Sequence, residues 1–382
     1  MSKSFLPRYV DTPGSVSARF LPPRVQDPRF VRIRVLRSSI CNTDRRVMRS
    51  DKCHTLHSST SIAIGHEGGG IRIDNNQKVV VLPHFHPSLP NSFKELPNLS
   101  PRMLHVGIHL SGLMTDIADI PESCLYPIGQ NQIDDDAMAL VEPTACALRC
   151  IVKLGHATKG EAPKRIAIWG GGPMGVLLAL LAKRVFERVQ VVIVEPNPIR
   201  RSVVAALDVA DELIPIMNYA ERVNVGIIAS SSLEAYKDGL EATELGGIVM
   251  LFSGIDSHQL RWRNYPLATY LEDVHRSEAD IDPMFPMTRG RRLIGSSGYT
   301  ISEIARSVAE LSSRFSYYQI VQNVVIDGLD SNVAKVKRPF PKELTFEEPA
   351  VVAFLAPSGI NDQIHGRAIA ESLKVLVRVC ER

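Results

Sequence analysis

The sequence predicts a two-domain α/β protein in which a strand-rich part is joined to a doubly wound parallel sheet. Three observations predict this fold class. The chain has 382 residues, a length typical of two domains. Up to about residue 137, short apolar runs alternate with clusters of Pro, Gly, Ser and Asn, as in strands and loops. From residue 165 onward, strand patterns alternate with helical patterns, which is typical of a parallel sheet.

The predicted domain limits follow from these changes in pattern. Residues 1–137 form the first, strand-rich part of one domain and include the alternating apolar stretch Val31–Val35. Residues 138–297 form the parallel-sheet domain, which opens with a helical pattern. Residues 298–382 return to the first domain and end in an atypical tail that matches no recognised pattern after Lys337.

Composition and charge narrow the possible functions. The 44 basic and 41 acidic residues give a net charge of +3, and the basic residues are scattered, so we expect no nucleic-acid partner. The six cysteines form no CxxC pair, which favours a reducing compartment over a disulfide framework. The N-terminus has no apolar leader, and the longest apolar run is far too short to cross a bilayer. We therefore expect a cytoplasmic protein with no membrane partner.

A glycine-rich turn predicts a dinucleotide site. The strand "RIAIW" is followed by "GGGPMG" and then by the helical stretch "VLLALLAKRVF", so Gly170, Gly172 and Gly175 form G-x-G-x-x-G between strand and helix. The first glycine makes the turn, the second lets the backbone approach a pyrophosphate, and the third lets helix and strand pack closely. Pro173 and Met174 complete the turn at the helix N-terminus, whose free N–H groups favour phosphate.

An acidic residue after the next strand predicts which dinucleotide is bound. Glu195 ends "VQVVIVE", where a carboxylate accepts hydrogen bonds from the adenosine ribose. A negative charge there repels a 2′-phosphate, so NAD is favoured over NADP. Arg200 follows closely and is kept as a candidate cofactor-binding residue. The alternative for this arginine is a place on a solvated helix face.

Four residues with metal-binding side chains predict a catalytic zinc site. Cys41 lies in the polar turn "SSICNTDRR", His66 and Glu67 lie in the glycine-flanked "GHEGGG", and Glu142 lies in "VEPTACAL". Thiolate, imidazole and carboxylate together suit zinc. Taken singly, each residue also fits an ordinary role, such as a buried thiol or a charge at a helix start. The metal interpretation depends on their combination upstream of a nucleotide fold.

This combination of motifs resembles the zinc-dependent medium-chain dehydrogenase/reductase family, within the alcohol dehydrogenase superfamily. Its glutamates are similar to those of the polyol (sorbitol-like) and threonine dehydrogenase branch. The motifs that carry the resemblance are "CNTD", "GHE", "VEP", "GGGPMG" and "LIGSSGYT", and it extends from about Val31 to Ile326. The resemblance implies a GroES-like catalytic domain interrupted by a Rossmann domain.

The resemblance also implies roles for individual residues. Cys41 and His66 would bind zinc, and Glu67 and Glu142 would be ligands that exchange with water or substrate. Thr43 would pass the substrate proton. These positions, with the nucleotide motif, imply an NAD-linked enzyme with one catalytic zinc ion per chain.

Further positions match the family only in part. Asp44 would support the metal ligands, and His84, in "LPHFHP", would line the substrate pocket. The alternative for His84 is an ordinary polar residue of a loop. Relatives often carry a histidine just after the cysteine turn, where this chain has Arg45 and Arg46. They also often carry a four-cysteine zinc lobe, and the corresponding segment here, residues 86–104, contains no cysteine. We therefore predict no structural zinc.

The predicted function is NAD-linked oxidation of a secondary alcohol to a ketone, or the reverse reduction. By analogy with the branch, the substrate is a small hydrophilic alcohol such as a polyol, sugar, cyclitol or amino alcohol. Two alternatives remain open. One keeps the fold but changes the chemistry, as in zinc-free enoyl or quinone reductases or NAD-assisted epimerases and lyases. The other is a non-catalytic NAD-binding protein. A homo-oligomer, dimer or tetramer, is expected by resemblance.

Overall fold

The computed structural model places two compact units along the chain. It describes residues 8–12, 15–18, 27–44, 63–86, 103–255, 266–322, 324–327, 334–336 and 374–379. One unit takes in the described residues up to Pro143 together with those from Ile304 onward, and the other comprises Thr144–Glu303. A chain that leaves one unit and later returns to it is the organisation proposed from the sequence, with limits at 137 and 297.

The described residues form nineteen strands and six α-helices. The strands are β1 (Arg8–Thr12), β2 (Ser15–Ala18), β3 (Phe30–Ile40), β4 (Glu67–Arg72), β5 (Lys78–Val81), β6 (His84–Phe85), β7 (Leu104–His105), β8 (Ile117–Pro121), β9 (Leu125–Pro127), β10 (Arg165–Trp169), β11 (Gln190–Val194), β12 (Glu212–Ile214), β13 (Val223–Ile228), β14 (Thr243–Leu251), β15 (Asp280–Ile281), β16 (Arg292–Gly295), β17 (Val324–Asp327), β18 (Ala334–Val336) and β19 (Val375–Arg378). The helices are α1 (Met138–Ala157), α2 (Pro173–Val185), α3 (Pro198–Ala205), α4 (Leu233–Ala242), α5 (Pro266–Arg276) and α6 (Ile301–Tyr318).

The first unit is built on an eight-stranded sheet. Its order is β18-β17-β19-β3-β4-β5-β9, and β8 also pairs with β3. The sequence of β3 shows why this sheet has one buried face. Val31, Ile33 and Val35 are buried, while Arg32 and Arg34 between them are exposed, which is the alternation of a strand with one face in a core. Strand β19 lies antiparallel to β3, so the tail that matched no sequence pattern supplies an interior strand of this sheet.

A cross-strand ion cluster joins β19 to β3. Arg378 and Arg37 are paired across the two strands, and both contact the buried Asp136. The Arg37 Nε lies 2.7 Å from Asp136 Oδ1, and the Arg378 Nη2 lies 2.6 Å from Oδ2. Burial alone would raise the pKa of Asp136, but hydrogen bonds from Arg378 and Arg37 hold that pKa below its ordinary value. The charged carboxylate therefore stabilises the folded sheet.

We expect Asp136→Asn to lower the free energy of unfolding by about 2–3 kcal/mol at pH 7. This is less than the loss of a fully buried pair, since Arg378 is partly exposed. A depressed pKa gives stability that is present above the unfolded pKa of about 4 and is lost as pH falls through the folded value. Urea denaturation should therefore show the wild-type advantage shrinking below about pH 4.

The matched control for this cluster is the exposed pair between Arg32 and Asp119 on the same sheet, with an N···O distance of 2.8 Å. Asp119→Asn should cost less than about 1 kcal/mol, because exposed pairs contribute little. Equal losses of unfolding free energy in the Asp136 and Asp119 variants would contradict the conclusion that the buried ion cluster stabilises the sheet.

The second unit is the predicted doubly wound sheet. Its order is β12-β11-β10-β13-β14-β16-β15, and every neighbouring pair is parallel except β15 with β16. The interior strands are apolar runs such as "RIAIW" and "QVVIV", buried over almost their whole length because helices cover a parallel sheet. Trp169, Tyr236 and Leu271 belong to its main buried cluster. Among the described residues, no helix combines the length and apolar character needed to cross a bilayer.

Candidate functional site

Three of the four predicted metal ligands lie together in the first unit. The ligand atoms of Cys41, His66 and Glu67 all lie within 4.8 Å of one another. Cys41 directly follows β3, and Glu67 begins β4, where it pairs with Ser39 of β3. Gly65, directly before His66, has a φ of +92°, a left-handed conformation that favours glycine and bends the chain where it enters the site.

Asp44 orients two of these ligands, as the resemblance implied. Its Oδ1 lies 3.0 Å from Nδ1 of His66, and its Oδ2 accepts the backbone N–H of Cys41 at 2.7 Å. Burial alone would lower the pKa of His66, but the Asp44 carboxylate holds that pKa well above its ordinary value. The bond at Nδ1 fixes the ring and leaves Nε2 as the metal-binding nitrogen.

A buried lysine, Lys374, holds the third ligand. Its Nζ lies 2.7 Å from Oε1 and 2.5 Å from Oε2 of Glu67, and both side chains are 2% exposed. Burial alone would lower the pKa of Lys374, but the charges of Glu67 and Cys41 raise it above its ordinary value. The Ser39 hydroxyl also donates to Glu67 Oε2. Both carboxylate oxygens of Glu67 are therefore already engaged.

Two other predicted site residues of the first unit, Glu142 and Thr43, lie outside the cluster of three ligands. Glu142 is buried within α1, and its charge also acts on Lys374. It is not in the set of ligand atoms within 4.8 Å that the described residues form. Thr43 is half-buried, two residues after Cys41. The roles of Thr43 and Glu142 remain predictions.

His84 lies in a group of three histidines. It begins β6 and pairs with His105 on β7, and the two ring centroids are 5.0 Å apart. The His105 ring in turn lies 5.2 Å from that of His66. This places the predicted substrate-contacting residue one imidazole away from a metal ligand. No sequence motif marks His105.

The glycine-rich turn of the second unit has the geometry that the motif predicts. Gly170 follows β10 with a φ of +115°. A Cβ on Gly175 would lie 1.8 Å from the Gly170 carbonyl oxygen, whereas one on Gly172 would meet nothing within 4 Å. Pro173 begins α2, and Met174 beside it is half-buried. The turn is thus closed where helix and strand pack and open where a pyrophosphate would approach.

Glu195 lies at the end of β11, where it was predicted, and it holds the turn in place. One oxygen accepts the Gly171 N–H at 2.8 Å, and the other accepts the Asn197 N–H at 2.9 Å. The Arg200 guanidinium lies 3.3 Å from the same carboxylate. Arg200 therefore makes an ion pair with Glu195 and is not simply on a solvated helix face. The cofactor-binding roles of these residues remain predictions.

Two predictions fall on other parts of the chain. Arg45 and Arg46 lie outside the described residues. So does most of the segment for which we predict no structural zinc, residues 87–102. The single-zinc count therefore remains a prediction.

The curated proteins that are similar to this chain include several L-threonine 3-dehydrogenases. No protein-family model matches the chain. L-threonine 3-dehydrogenase of Stenotrophomonas maltophilia (strain K279a) is 25% identical over 251 residues, which is 60% of this chain and 72% of the relative. The enzyme of the same name from Rhizobium etli (strain CIAT 652) is 26% identical over 59% of this chain and 69% of that protein.

Solved structures extend the likeness over almost the whole fold. L-idonate 5-dehydrogenase from Escherichia coli K-12 superposes with a TM-score of 0.68 at 18% identity, covering 98% of each chain. A Sinorhizobium meliloti 1021 protein solved with NADP gives the same TM-score at 19% identity, over 99% of this chain and all of that one.

The chain is similar in sequence to L-threonine 3-dehydrogenases and similar in fold to solved dehydrogenases. The structural likeness confirms the fold class that the motifs implied, a GroES-like part together with a Rossmann domain.

Proposed function

We propose that this protein is a zinc-dependent, NAD-linked dehydrogenase that oxidises a secondary alcohol of a small hydrophilic substrate, or catalyses the reverse reduction. The observation that carries the proposal is the cluster of Cys41, His66 and Glu67 in a chain with an open dinucleotide turn. The relatives support it, because they are named as dehydrogenases of threonine and idonate, both hydrophilic alcohols.

The donor set fits zinc. A thiol, an imidazole and a carboxylate converge within 4.8 Å, which suits a borderline-soft ion with nitrogen, sulfur and oxygen ligands. Cys41 and His66 would hold the ion, with Glu67 or Glu142 as a third ligand. Asp44 behind His66 supplies the outer hydrogen bond that fixes a zinc-binding imidazole. With zinc bound, the site would supply a Lewis acid that lowers the pKa of the alcohol oxygen.

The chain's own residues would then transfer the proton and bind the substrate. Oxidation removes a proton from the alcohol oxygen and a hydride from its carbon, and NAD accepts the hydride. The Thr43 hydroxyl, two residues after Cys41, would accept the alcohol proton while giving its own proton toward solvent. His84 would contact the substrate, and the buried surroundings of His66 would exclude water from it.

Glu195 supports NAD as the preferred cofactor. We expect Glu195→Gln to raise the affinity for NADPH relative to NADH by at least about tenfold, equivalent to about 1.4 kcal/mol. The substitution removes the charge that repels a 2′-phosphate and leaves Arg200 able to bind it. The measurement is the Kd of each reduced cofactor by fluorescence titration.

The control for the cofactor prediction is Glu195→Gln combined with Arg200→Gln, which should lose most of the gain in NADPH affinity. An unchanged ratio in the single variant would show that Glu195 does not determine cofactor choice.

The proposed reaction is tested by following NADH formation from a panel of polyols, sugar alcohols and amino alcohols. Turnover of at least one hydrophilic secondary alcohol that is lost with a chelator and restored by zinc would support the proposal. Reduction of enones without zinc would favour the alternative reductase, and a product with no net redox change would favour an epimerase or lyase.

We also propose a reducing, cytoplasmic location and a homo-oligomeric state. The four cysteines among the described residues form no disulfide bond, which fits a reducing compartment. Met284 and Phe285, 89% and 59% exposed, give the second unit adjacent apolar side chains that a second copy could cover. Light scattering of the purified protein should give a mass of two or four chains.

A further inference from the structure

Three arginines of the second unit converge at the C-terminal end of helix α4. Arg222 Nη1 donates hydrogen bonds to Glu241 O at 3.0 Å and to Thr243 O at 3.4 Å. Arg291 Nε donates to the same Thr243 O at 3.0 Å, and Arg291 Nη1 donates to Arg289 O. The Arg289 guanidinium makes an ion pair with the Glu241 side chain. We call Arg222, Arg289 and Arg291 the arginine cluster.

The parallel sheet brings these segments to one edge. Arg222 directly precedes β13, Thr243 begins β14, and Arg291 directly precedes β16. These three strands are parallel neighbours, so their amino ends lie at the same edge of the sheet. Gly170 follows the carboxyl end of β10, which is parallel to β13, so the glycine-rich turn lies at the opposite edge. The arginine cluster is therefore separate from the proposed dinucleotide site.

The arginine cluster holds more positive than negative charge. Arg291 is only 5% exposed, and burial is the main cause that lowers the pKa of its guanidinium. The charges of Arg222 and Arg289 lower this pKa further, while the carboxylate of Glu241 opposes them. Arginine still stays protonated at neutral pH. Three positive charges therefore lie around one carboxylate.

Two further carboxylates on the same segments have other partners. Glu221 Oε2 lies 3.3 Å from Arg165 Nη2, and Glu244 Oε1 accepts a hydrogen bond from Asn224 Nδ2 at 2.7 Å. Within the part of the chain that the structure describes, neither carboxylate makes an ion pair with the arginine cluster. The positive excess at this edge thus has no partner in direct contact among those residues.

Capping of the helix accounts for one of the three arginines. The last carbonyl groups of a helix favour a cation, and Arg222 supplies it by donating to Glu241 O. A second and a third guanidinium beside the first repel it, which costs free energy unless an anion lies among them. The cluster therefore has the charge that is expected of an anion-binding site.

The two outer arginines keep hydrogen-bond donors for a ligand. A guanidinium carries five N–H donors in one plane. Towards the described residues, the side chains of Arg222 and Arg289 donate through Nη1 alone. Both residues are exposed, whereas Arg291 is buried. A ligand from solvent can thus reach the remaining N–H groups of Arg222 and Arg289.

We infer that the arginine cluster binds the phosphate group of a small molecule, with Arg222 and Arg289 donating to its oxygens and Arg291 supplying buried positive charge. A phosphate dianion matches the excess of two positive charges, and planar guanidinium groups match the geometry of phosphate oxygens. The ligand is free phosphate or a small phosphomonoester. The inference does not depend on the proposed dehydrogenase function.

The test is calorimetric titration of inorganic phosphate into the full chain with excess NADH, which keeps phosphate away from the glycine-rich turn. We expect one site per chain with a Kd of about 1 mM or lower. Arg222→Gln should raise this Kd about tenfold, because it removes charge-assisted hydrogen bonds to the ligand. Arg289→Gln, which changes a second exposed arginine, should raise it by a similar factor.

One variant separates anion binding from helix capping. Glu241→Gln should lower the Kd about threefold, because it removes the carboxylate that competes with the ligand for Arg289. A cluster that only caps the helix would show no such gain. The matched control is Arg276→Gln on α5, an exposed arginine that also pairs with a glutamate, Glu272. This variant should keep the Kd within about twofold of wild type.

A comparison of ligands identifies the source of the phosphate. Glycerol phosphate that binds more tightly than inorganic phosphate would support an organic phosphomonoester, and equal or weaker binding would support free phosphate. No binding of either compound would overturn the inference. It would also be overturned by acetate binding as tightly as phosphate, or by a Kd that Arg222→Gln, Arg289→Gln and Glu241→Gln leave unchanged.

Discussion

Replacing Lys374 with methionine should destabilise the metal-free protein by about 3–5 kcal/mol, the cost of leaving a buried charge unpaired. Both members of the pair are 2% exposed, so water cannot take the place of the ammonium group beside Glu67. Zinc should restore part of the lost stability, because the ion supplies positive charge to the same carboxylate. The measurement is urea denaturation of both proteins, each with chelator and with zinc.

The matched control is Lys78→Met. Lys78 is also fully buried, and its Nζ lies 2.7 Å from Asp135, away from the metal cluster. The Lys78→Met substitution should lower the free energy of unfolding, and the difference from wild type should be the same with zinc as with chelator. Adding Glu67→Gln to Lys374→Met should recover stability, since it removes the unpaired charge. A Lys374→Met protein within about 1 kcal/mol of wild type would contradict the buried-pair account.

Replacing Cys41 with serine should abolish alcohol oxidation while leaving NAD binding intact. The thiolate is the softest donor of the cluster, and a serine hydroxyl is a poor zinc ligand at neutral pH. We expect kcat/KM to fall by at least about 10³-fold, because a Lewis acid contributes several kcal/mol to such a transition state. Steady-state kinetics and the Kd of NADH test the two halves of this expectation.

The control for the cysteine is Cys146→Ser, a half-buried thiol on α1 in the second unit, which should retain zinc and turnover. Simultaneous loss of turnover and NADH binding in Cys41→Ser would contradict the division of roles between the two units. Full activity without zinc would favour the metal-free chemistry.

Local patterns predicted much of this molecule. The glycine turn could be predicted because each of its three glycines, at fixed spacing between a strand and a helix, is required for a local steric reason. The metal ligands in the turn at Cys41 and in the "GHE" segment could be predicted because few types of side chain bind metals and their chemistry is distinctive. For each of these motifs, the structure shows the expected geometry over a few consecutive residues.

Residues brought in by distant pairing could not be predicted. Lys374 reaches Glu67 across 307 positions in the chain, because β19 pairs with β3, and the tail that supplies it carries no recognisable motif. His105 reaches the cluster through the pairing of two-residue strands, too short to leave a periodic signal. Glu195 directly follows β11, but its hydrogen bonds to the turn depend on side-chain geometry that motif spacing does not encode.

The most direct test of the account is the zinc content per chain of protein purified without chelator. We predict about one zinc ion per chain, removed together with alcohol oxidation in Cys41→Ser and retained in Cys146→Ser. About two ions per chain would show that a structural site exists where we predict none. A well-folded protein with no zinc that still oxidises the alcohol would contradict the central claim that the Cys41, His66 and Glu67 cluster is a catalytic metal site.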